Sequence, residues 1–163
     1  MATELPAPPQ LMRIQHPETG HPMVLGIKRG MVFRVEVTED ESRGSEQWHS
    51  VNEVAPYVIL SSDVIHQKMP LAIAAPLTTK LHKDRGAFAN HRIRIQPDHV
   101  QRYAEQAGVG GLDPEPRIVL TEQIRVVAHE RLQENPVAQL DDQALDAVEA
   151  GVLYALDVPV DGT

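Results

Sequence analysis

The feature that most constrains the fold of this chain is the order of its segments, because strand-like runs come first and one amphipathic helix comes last. Some of the strand-like runs are rich in β-branched residues, others are near-continuous apolar runs and one alternates, and all three patterns favour extended structure. They span residues 32–37, 57–61, 71–77, 92–96 and 117–127. This order predicts a small α+β domain, mainly β, built on a strongly curved antiparallel sheet or SH3-like barrel with a C-terminal helix.

The C-terminal helix is predicted over residues 141–156. Asp141 is placed as its N-cap, and Leu140 and Leu145 occupy the two positions of a hydrophobic staple. Further along, one apolar stripe is expected to face the sheet. Its members are Leu145, Val148, Val152 and Leu156.

Three local patterns give further structural expectations in the middle of the chain. Pro76 lacks a backbone N–H and is predicted to end strand pairing. Residues 92–96 alternate, which predicts isoleucines in the core and Arg92 and Arg94 in solvent. Asp98 is predicted to cap a short helix that ends before Gly108.

Residues 1–25 show no periodicity and are predicted to form a flexible extension, with a short tail at 159–163.

Composition excludes several classes of site. The chain has 163 residues, enough for one domain with a real core, and it contains no cysteine. Disulfides, thiolate nucleophiles and cysteine-type zinc sites are therefore excluded. The histidines at 16, 21 and 66 lack ligand spacing, so neither a metal nor another cofactor is predicted. No apolar run approaches the length of a membrane span, and no signal peptide is evident, which predicts a cytoplasmic protein.

The net charge of -8 at first argues against a nucleic-acid ligand. Its distribution changes that argument, because residues 130–163 hold eight acidic residues and one basic residue. Residues 81–102, by contrast, hold five basic and two acidic residues. A locally basic surface is therefore expected in the middle of the chain.

Four short polar motifs follow one another at the ends of the predicted strands, where a folded sheet would present them at one rim. They lie at residues 26–33, 43–47, 75–78 and 122–125. Their order and spacing resemble the MazF/PemK family, bacterial toxins that cleave single-stranded RNA. The resemblance covers a domain at residues 26–158, with an insertion at about 98–116.

The resemblance implies a role for individual residues. Thr78 stands where the family has its catalytic threonine, and Glu46 and Arg43 are implied as further catalytic residues. His49 is added as a catalytic candidate because it lies in the same loop and an imidazole is suited to proton transfer. RNA binding is implied for Ser45, Gln47, Gln123 and Arg125. The last two are two positions apart on a predicted strand, so they are expected to share one face.

The main departure from the family pattern is the replacement of its Arg-Pro dipeptide by Ala55-Pro56. The family's arginine helps to stabilise the phosphate, so another cation must substitute or cleavage must be weak. The hypothesis from the sequence is that Arg43 or Arg125 substitutes, with His49 assisting proton transfer. Ala55→Arg is then predicted to restore or raise cleavage.

Three functions remain open at this level. The leading hypothesis is the toxin of a type II toxin–antitoxin system, a metal-independent endoribonuclease acting on single-stranded RNA. It would be a homodimer, inhibited by a cognate antitoxin with a disordered acidic segment, and would not act at a membrane. The alternative is a catalytically degenerate MazF-like or CcdB-like protein-binding module. The third is an SH3-like module that binds peptides.

Overall fold

The computed structural model describes residues 4–36, 54–106 and 108–159. Within these ranges ten β-strands and two α-helices form. The strands are β1 (Met12–Gln15), β2 (Pro22–Leu25), β3 (Met31–Glu36), β4 (Val54–Ile59), β5 (Leu71–Thr78), β6 (Ile93–Ile95), β7 (Val100–Arg102), β8 (Arg117–Val119), β9 (Arg125–Ala128) and β10 (Ala138–Leu140). The helices are α1 (Asp63–Lys68) and α2 (Asp142–Ala155).

Eight of the strands form one antiparallel sheet that curls into a nearly closed barrel. Their order is β6-β8-β5-β4-β3-β10-β7, and β9 also pairs with β5. The predicted curved antiparallel sheet with a C-terminal helix is therefore confirmed.

Strand β5 is the centre of the candidate site because it pairs with three other strands. One edge pairs with β4, while the other pairs first with β9 and then with β8. A 3₁₀ turn, Thr121–Gln123, separates β8 from β9. Pro76 does not end this strand, contrary to the sequence prediction. Its carbonyl oxygen accepts the Leu120 N–H at 3.0 Å, and pairing continues through Thr78.

Both faces of the central sheet are buried, each by a different apolar cluster. Side chains from β3, β4 and β5 alternate between the two clusters along each strand. We call the side packed against α2 the helix face, and it includes Val32, Val58 and Leu77. We call the other side the hairpin face, because Val24 and Ile27 from the β1–β2 region cover it.

Helix α2 begins as the sequence predicts. The Asp141 carboxylate accepts the Ala144 N–H at 2.8 Å, which satisfies a donor that the first helical turn leaves free. Leu145 and Val148 are buried against the sheet. Leu156 does not continue this stripe, because it lies beyond the end of the helix and is 60% exposed.

The N-terminal region contains regular structure that the sequence pattern does not reveal. Strands β1 and β2 form an antiparallel hairpin between residues 12 and 25, rather than a flexible extension. Met23 and Val24 are buried. The Val24 N–H also donates to His129 Nδ1 at 3.0 Å. Contacts with residues more than 100 positions away thus fix this segment, and such contacts leave no local periodicity.

The prediction of a short helix capped by Asp98 is wrong. Pro97–His99 forms a single 3₁₀ turn, and the following residues form β7 and pair with β10. Pairing with a distant strand overrides the local helix signal. Arg92 is also buried rather than solvent-exposed, because its guanidinium pairs with the Glu122 carboxylate.

Candidate functional site

The rim where β3 ends, β4 begins and β5 ends holds the candidate site. The chain between residues 37 and 53 connects β3 to β4 at this rim. Five residues with implied roles lie in this connection, outside the described residues. They are Arg43, Ser45, Glu46, Gln47 and His49. The strand ends are the part of the site that the structure describes.

Thr78 is the last residue of β5 and retains 9% of its surface exposed. Its Oγ1 accepts the Lys80 N–H at 3.2 Å. A hydroxyl that accepts one hydrogen bond still has its own O–H to donate. Thr78 can therefore offer an oriented donor to an anion at the rim.

The register of the sheet shows which residues flank Thr78 on the hairpin face. On one side Thr78 pairs with Ile118, and Ile118 pairs with Arg94. On the other side β5 pairs with β4 through Tyr57 and Pro76, and extending that antiparallel register by two residues places Ala55 opposite Thr78. These residues therefore form one cross-strand row. Directly opposed side chains lie about 5 Å apart at Cβ.

Ala55 thus occupies the position nearest to Thr78 on the neighbouring strand. It is 1% exposed and packs in the hairpin-face cluster. An arginine here would place its guanidinium near the Thr78 hydroxyl, whereas alanine offers no charge from β4. The departure recognised in the sequence therefore lies at the centre of the candidate site.

Arg125, on β9, lies too far from Thr78 for the role that the sequence hypothesis gives it. It pairs with Ala74, four residues before Thr78, which is about 13 Å along a strand. Its Nε donates to the Gln123 carbonyl oxygen at 3.3 Å. Gln123 itself is the last residue of a 3₁₀ turn, so the two residues do not share a strand face as predicted. The structure does not bring Arg125 to Thr78.

Gln123 nevertheless has an unusual side chain. Its Oε1 is buried and accepts no hydrogen bond within the part of the chain that the structure describes. A buried amide oxygen normally has a partner, so an unsatisfied one is a candidate contact for a ligand or for a second subunit. This observation supports keeping Gln123 among the candidate binding residues.

The neighbouring Glu122 is already engaged. Arg92 Nε donates to Glu122 Oε1 at 2.7 Å, and Arg92 Nη1 donates to the Lys83 carbonyl oxygen at 3.1 Å. The guanidinium also lies over the Phe88 ring, 3.9 Å from its centroid. Arg92 and Glu122 therefore hold the β5–β6 connection against the 3₁₀ turn.

Arg94 is the cation that motif reasoning missed. Its Nε donates to Asp84 Oδ2 at 2.9 Å, and its Nη2 donates to the Leu81 carbonyl oxygen at 3.2 Å. Leu81–Asp84 is a 3₁₀ turn that begins three residues after Thr78. Only the alternation of residues 92–96 hinted at Arg94, and alternation does not say which strand lies beside it.

The buried histidines serve the framework. His129 Nε2–H donates to the Leu71 carbonyl oxygen at 3.1 Å, and burial lowers the pKa of His129 to about 4. Desolvation likewise lowers the pKa of His66, which bridges Ser61 and Asp63 at 3.1 Å each. Ser61 Oγ also accepts the Ile73 N–H, so this trio ties the β4–α1 junction to β5.

The described ranges contain neither a metal-binding cluster nor a helix that could span a membrane. No group of three or more histidine, cysteine or acidic side chains is placed to bind a metal ion there. In the same ranges, no helix has the length and apolarity that crossing a bilayer requires.

Comparison with known families gives a match over most of the chain. Residues 28–156 match the model of the family described as the PemK-like, MazF-like toxin of type II toxin–antitoxin systems. A search of curated protein sequences found no match.

Solved structures of similar fold are related at low sequence identity. An endoribonuclease in complex with its cognate antitoxin, from a mycobacterial species, has a TM-score of 0.56 and 16% identity. The match covers 83% of this chain and 99% of that one. The Mycobacterium tuberculosis toxin MazF-mt6 has a TM-score of 0.53 and 15% identity, over 80% and 99% of the two chains.

A third similar structure is a MazE–MazF complex from Deinococcus radiodurans. Its TM-score is 0.52 at 16% identity, with 82% of this chain and 98% of that chain covered. At these identities the three structures support the fold of this chain and not its chemistry.

Proposed function

Because the chain belongs to the PemK-like, MazF-like toxins of type II toxin–antitoxin systems, we propose that it is an endoribonuclease that cleaves single-stranded RNA without a metal ion. The observation that supports this most directly is the Thr78 hydroxyl. It ends β5 at the rim, is oriented by the Lys80 amide and can donate to a phosphate oxygen.

The proposed reaction uses the RNA's own 2′-hydroxyl. The 2′-oxygen attacks the adjacent phosphorus, and the bond from phosphorus to the 5′-oxygen breaks. The products are a 2′,3′-cyclic phosphate and a 5′-hydroxyl. A base takes the 2′-hydroxyl proton, an acid protonates the leaving 5′-oxygen, and donors stabilise the charge that develops on the phosphate.

Thr78 is proposed as one of these donors. For proton transfer we propose Glu46 and His49, which lie in the 37–53 connection that joins β3 to β4 beside Thr78. Arg43 in the same connection is proposed as a further catalytic residue, and Ser45 and Gln47 are proposed to contact the RNA. Outside that connection, the unsatisfied Oε1 of Gln123 supports a binding role for that residue in the turn between β8 and β9.

The proposed partners follow from the family. An antitoxin with a disordered acidic segment is proposed to bind the toxin, because two of the similar structures are complexes with antitoxins. A homodimer that forms the RNA groove between its subunits is also proposed.

One experiment tests the proposed role of Thr78 with a neighbouring residue as control. Purified wild type, Thr78→Ala and Thr79→Ala are incubated with a long single-stranded RNA in EDTA. Loss of a donor aimed at developing charge typically lowers the rate by ~100-fold or more. We expect that loss for Thr78→Ala, whereas exposed Thr79 should tolerate the same change.

Stability and activity are compared in the same samples. Because both variants lose only one hydroxyl and one methyl group at a strand end, each should unfold within about 1 kcal/mol of wild type. Full activity in Thr78→Ala would remove this residue from the mechanism.

A second candidate function is favoured by Ala55. A neutral residue opposite Thr78 is what a catalytically degenerate MazF-like or CcdB-like protein-binding module would contain. No cleavage by a folded wild type, at any RNA sequence tested, would support that module over the enzyme.

A further inference from the structure

The missing charge opposite Thr78 makes the other side of the same row important. Ala55 gives no cation to a phosphate bound at Thr78, although it lies nearest to that residue. On the opposite side, Ile118 pairs with both Thr78 and Arg94. Alternate residues of a strand face opposite sides, so these three paired side chains leave the sheet on one face.

We propose that Arg94 supplies the cation for the scissile phosphate in place of the absent arginine at position 55. This inference rests on the proposed ribonuclease function. Two strand spacings separate the Cα atoms of Thr78 and Arg94, which is about 10 Å. Ile118 lies between them in the row and is 0% exposed, so a phosphate in hydrogen-bond contact with both side chains would lie at the rim beside the row rather than over Ile118.

The contacts of Arg94 fix its guanidinium on the turn that follows Thr78 in the chain. Nη2 donates to the Leu81 carbonyl oxygen, three residues after Thr78, and also to Asp84 Oδ1 at 3.3 Å. The turn Leu81–Asp84 packs on β8 and β6. Its bonds to Arg94 therefore fix the guanidinium beside these two strands.

The guanidinium also keeps donors for a ligand. Its contacts with the described residues use Nε and Nη2, and Nη1 has no partner among them. The Arg94 side chain is 37% exposed, whereas its partner Asp84 is 17% exposed. An arginine fixed on one edge by a carboxylate can present its other edge to a phosphate, which arginine binds with defined geometry.

Among the described residues, other cations near the rim fit this role less well. Arg92 is buried against Glu122 and Phe88. Arg34 lies on the helix face, where it donates to the carbonyl oxygens of Gly110 and Gly111. Lys80 is exposed next to Thr78 and is the strongest competitor, although a lysine lacks the fork of donors that arginine offers.

The ion pair with Asp84 allows a catalytic role to be separated from a structural one. Arg94→Ala and Asp84→Asn both break the pair, but only the first removes the cation. If Arg94 only stabilises the turn, the two variants should behave alike. If Arg94 binds the phosphate, Asp84→Asn should retain more activity than Arg94→Ala, because the cation is still present.

Arg29 provides a matched control at the opposite end of the sheet. Its side chain is also 37% exposed, it pairs with Glu149 at 3.4 Å, and its Nε donates to the Leu60 carbonyl oxygen at 3.2 Å. Arg29→Ala therefore removes an arginine with the same kinds of contact but away from Thr78.

The test measures kcat and KM on single-stranded RNA in EDTA for wild type, Arg94→Ala, Arg94→Lys, Asp84→Asn, Arg29→Ala and Lys80→Ala, with urea unfolding of each. We expect Arg94→Ala to lower kcat by ~30-fold or more and Arg94→Lys to recover part of that loss. Arg29→Ala should remain within about threefold of wild type, as expected for a residue outside the site. Asp84→Asn keeps the cation but loosens its fixation, so it should lose clearly less activity than Arg94→Ala.

Several results would overturn the assignment of Arg94. One is wild-type activity in Arg94→Ala, and another is an equal loss in Asp84→Asn. A third is a loss confined to Lys80→Ala, which would give the role to that lysine. Each of these leaves the ribonuclease function intact, whereas no cleavage by folded wild type would remove the proposed function and this inference together.

Discussion

The buried imidazole of His129 gives the chain a specific sensitivity to acid. His129 is 0% exposed, accepts the Val24 N–H at Nδ1 and donates from Nε2 to the Leu71 carbonyl oxygen. Protonation of Nδ1 would set its new N–H against the Val24 N–H, so that two donors would face each other. Desolvation is the largest cause that lowers the pKa of His129 from 6.5 to about 4.

The sign of the effect follows from proton linkage. Between pH 6.5 and 4 the unfolded state binds a proton at this histidine that the folded state does not, so stability falls as the pH falls. The full difference corresponds to about 3 kcal/mol, and about 2 kcal/mol of it is lost between pH 7.5 and pH 5. His66 acts in the same direction, because desolvation lowers its pKa too.

His129→Gln isolates this contribution, since an amide can accept from Val24 and donate to Leu71 without titrating. Urea unfolding of wild type and the variant at one protein concentration, at pH 7.5 and pH 5, gives the two free energies of unfolding. The variant should be less stable at pH 7.5, and its deficit should shrink by about 2 kcal/mol at pH 5. His82→Gln, at an exposed position, is the control and should keep the wild-type pH dependence. An unchanged deficit at the two pH values would refute the assignment to His129.

Two further predictions concern Ala55 and the assembly. Ala55→Arg is expected to destabilise the protein by about 1–3 kcal/mol rather than restore cleavage, because the site is 1% exposed and overpacking strains a filled core. Urea unfolding and RNA cleavage of this variant check both parts, and raised activity at unchanged stability would contradict them. The proposed homodimer should give light scattering near twice 18.1 kDa at micromolar concentration, whereas a species at 18.1 kDa alone would contradict it.

Local signals in the sequence predicted the elements that local interactions determine. Asp141 is the N-cap of α2 because its carboxylate bonds an amide three residues on. The β-branched run at β3 and the apolar run at β5 form strands, since both of their faces are buried in apolar clusters. The hairpin at residues 12–25 was not predicted, because the residues that it covers are distant in the chain. Strand β7 was not predicted, because its pairing partner β10 is distant in the chain.

The same limit applies to the candidate site. The motif containing Thr78 could be identified from sequence, and its position at a strand end agrees with the prediction. The neighbours of Thr78 could not be identified, because cross-strand register decides them. The register places Arg125 opposite Ala74, four residues before Thr78 on β5. It places Arg94 in the same cross-strand row as Thr78, with Ile118 between them. Glu122 also could not be recognised as the partner of Arg92 from sequence.

The most direct test of the central claim uses the substrate's own nucleophile. A single-stranded RNA that wild type cleaves in EDTA is remade with one 2′-deoxy residue on the 5′ side of the cleaved bond, and the products are analysed by mass spectrometry. The proposed mechanism predicts a 2′,3′-cyclic phosphate and a 5′-hydroxyl from the all-RNA substrate, and no cleavage at the 2′-deoxy position. Cleavage at that position, or products ending in a 5′-phosphate, would contradict it.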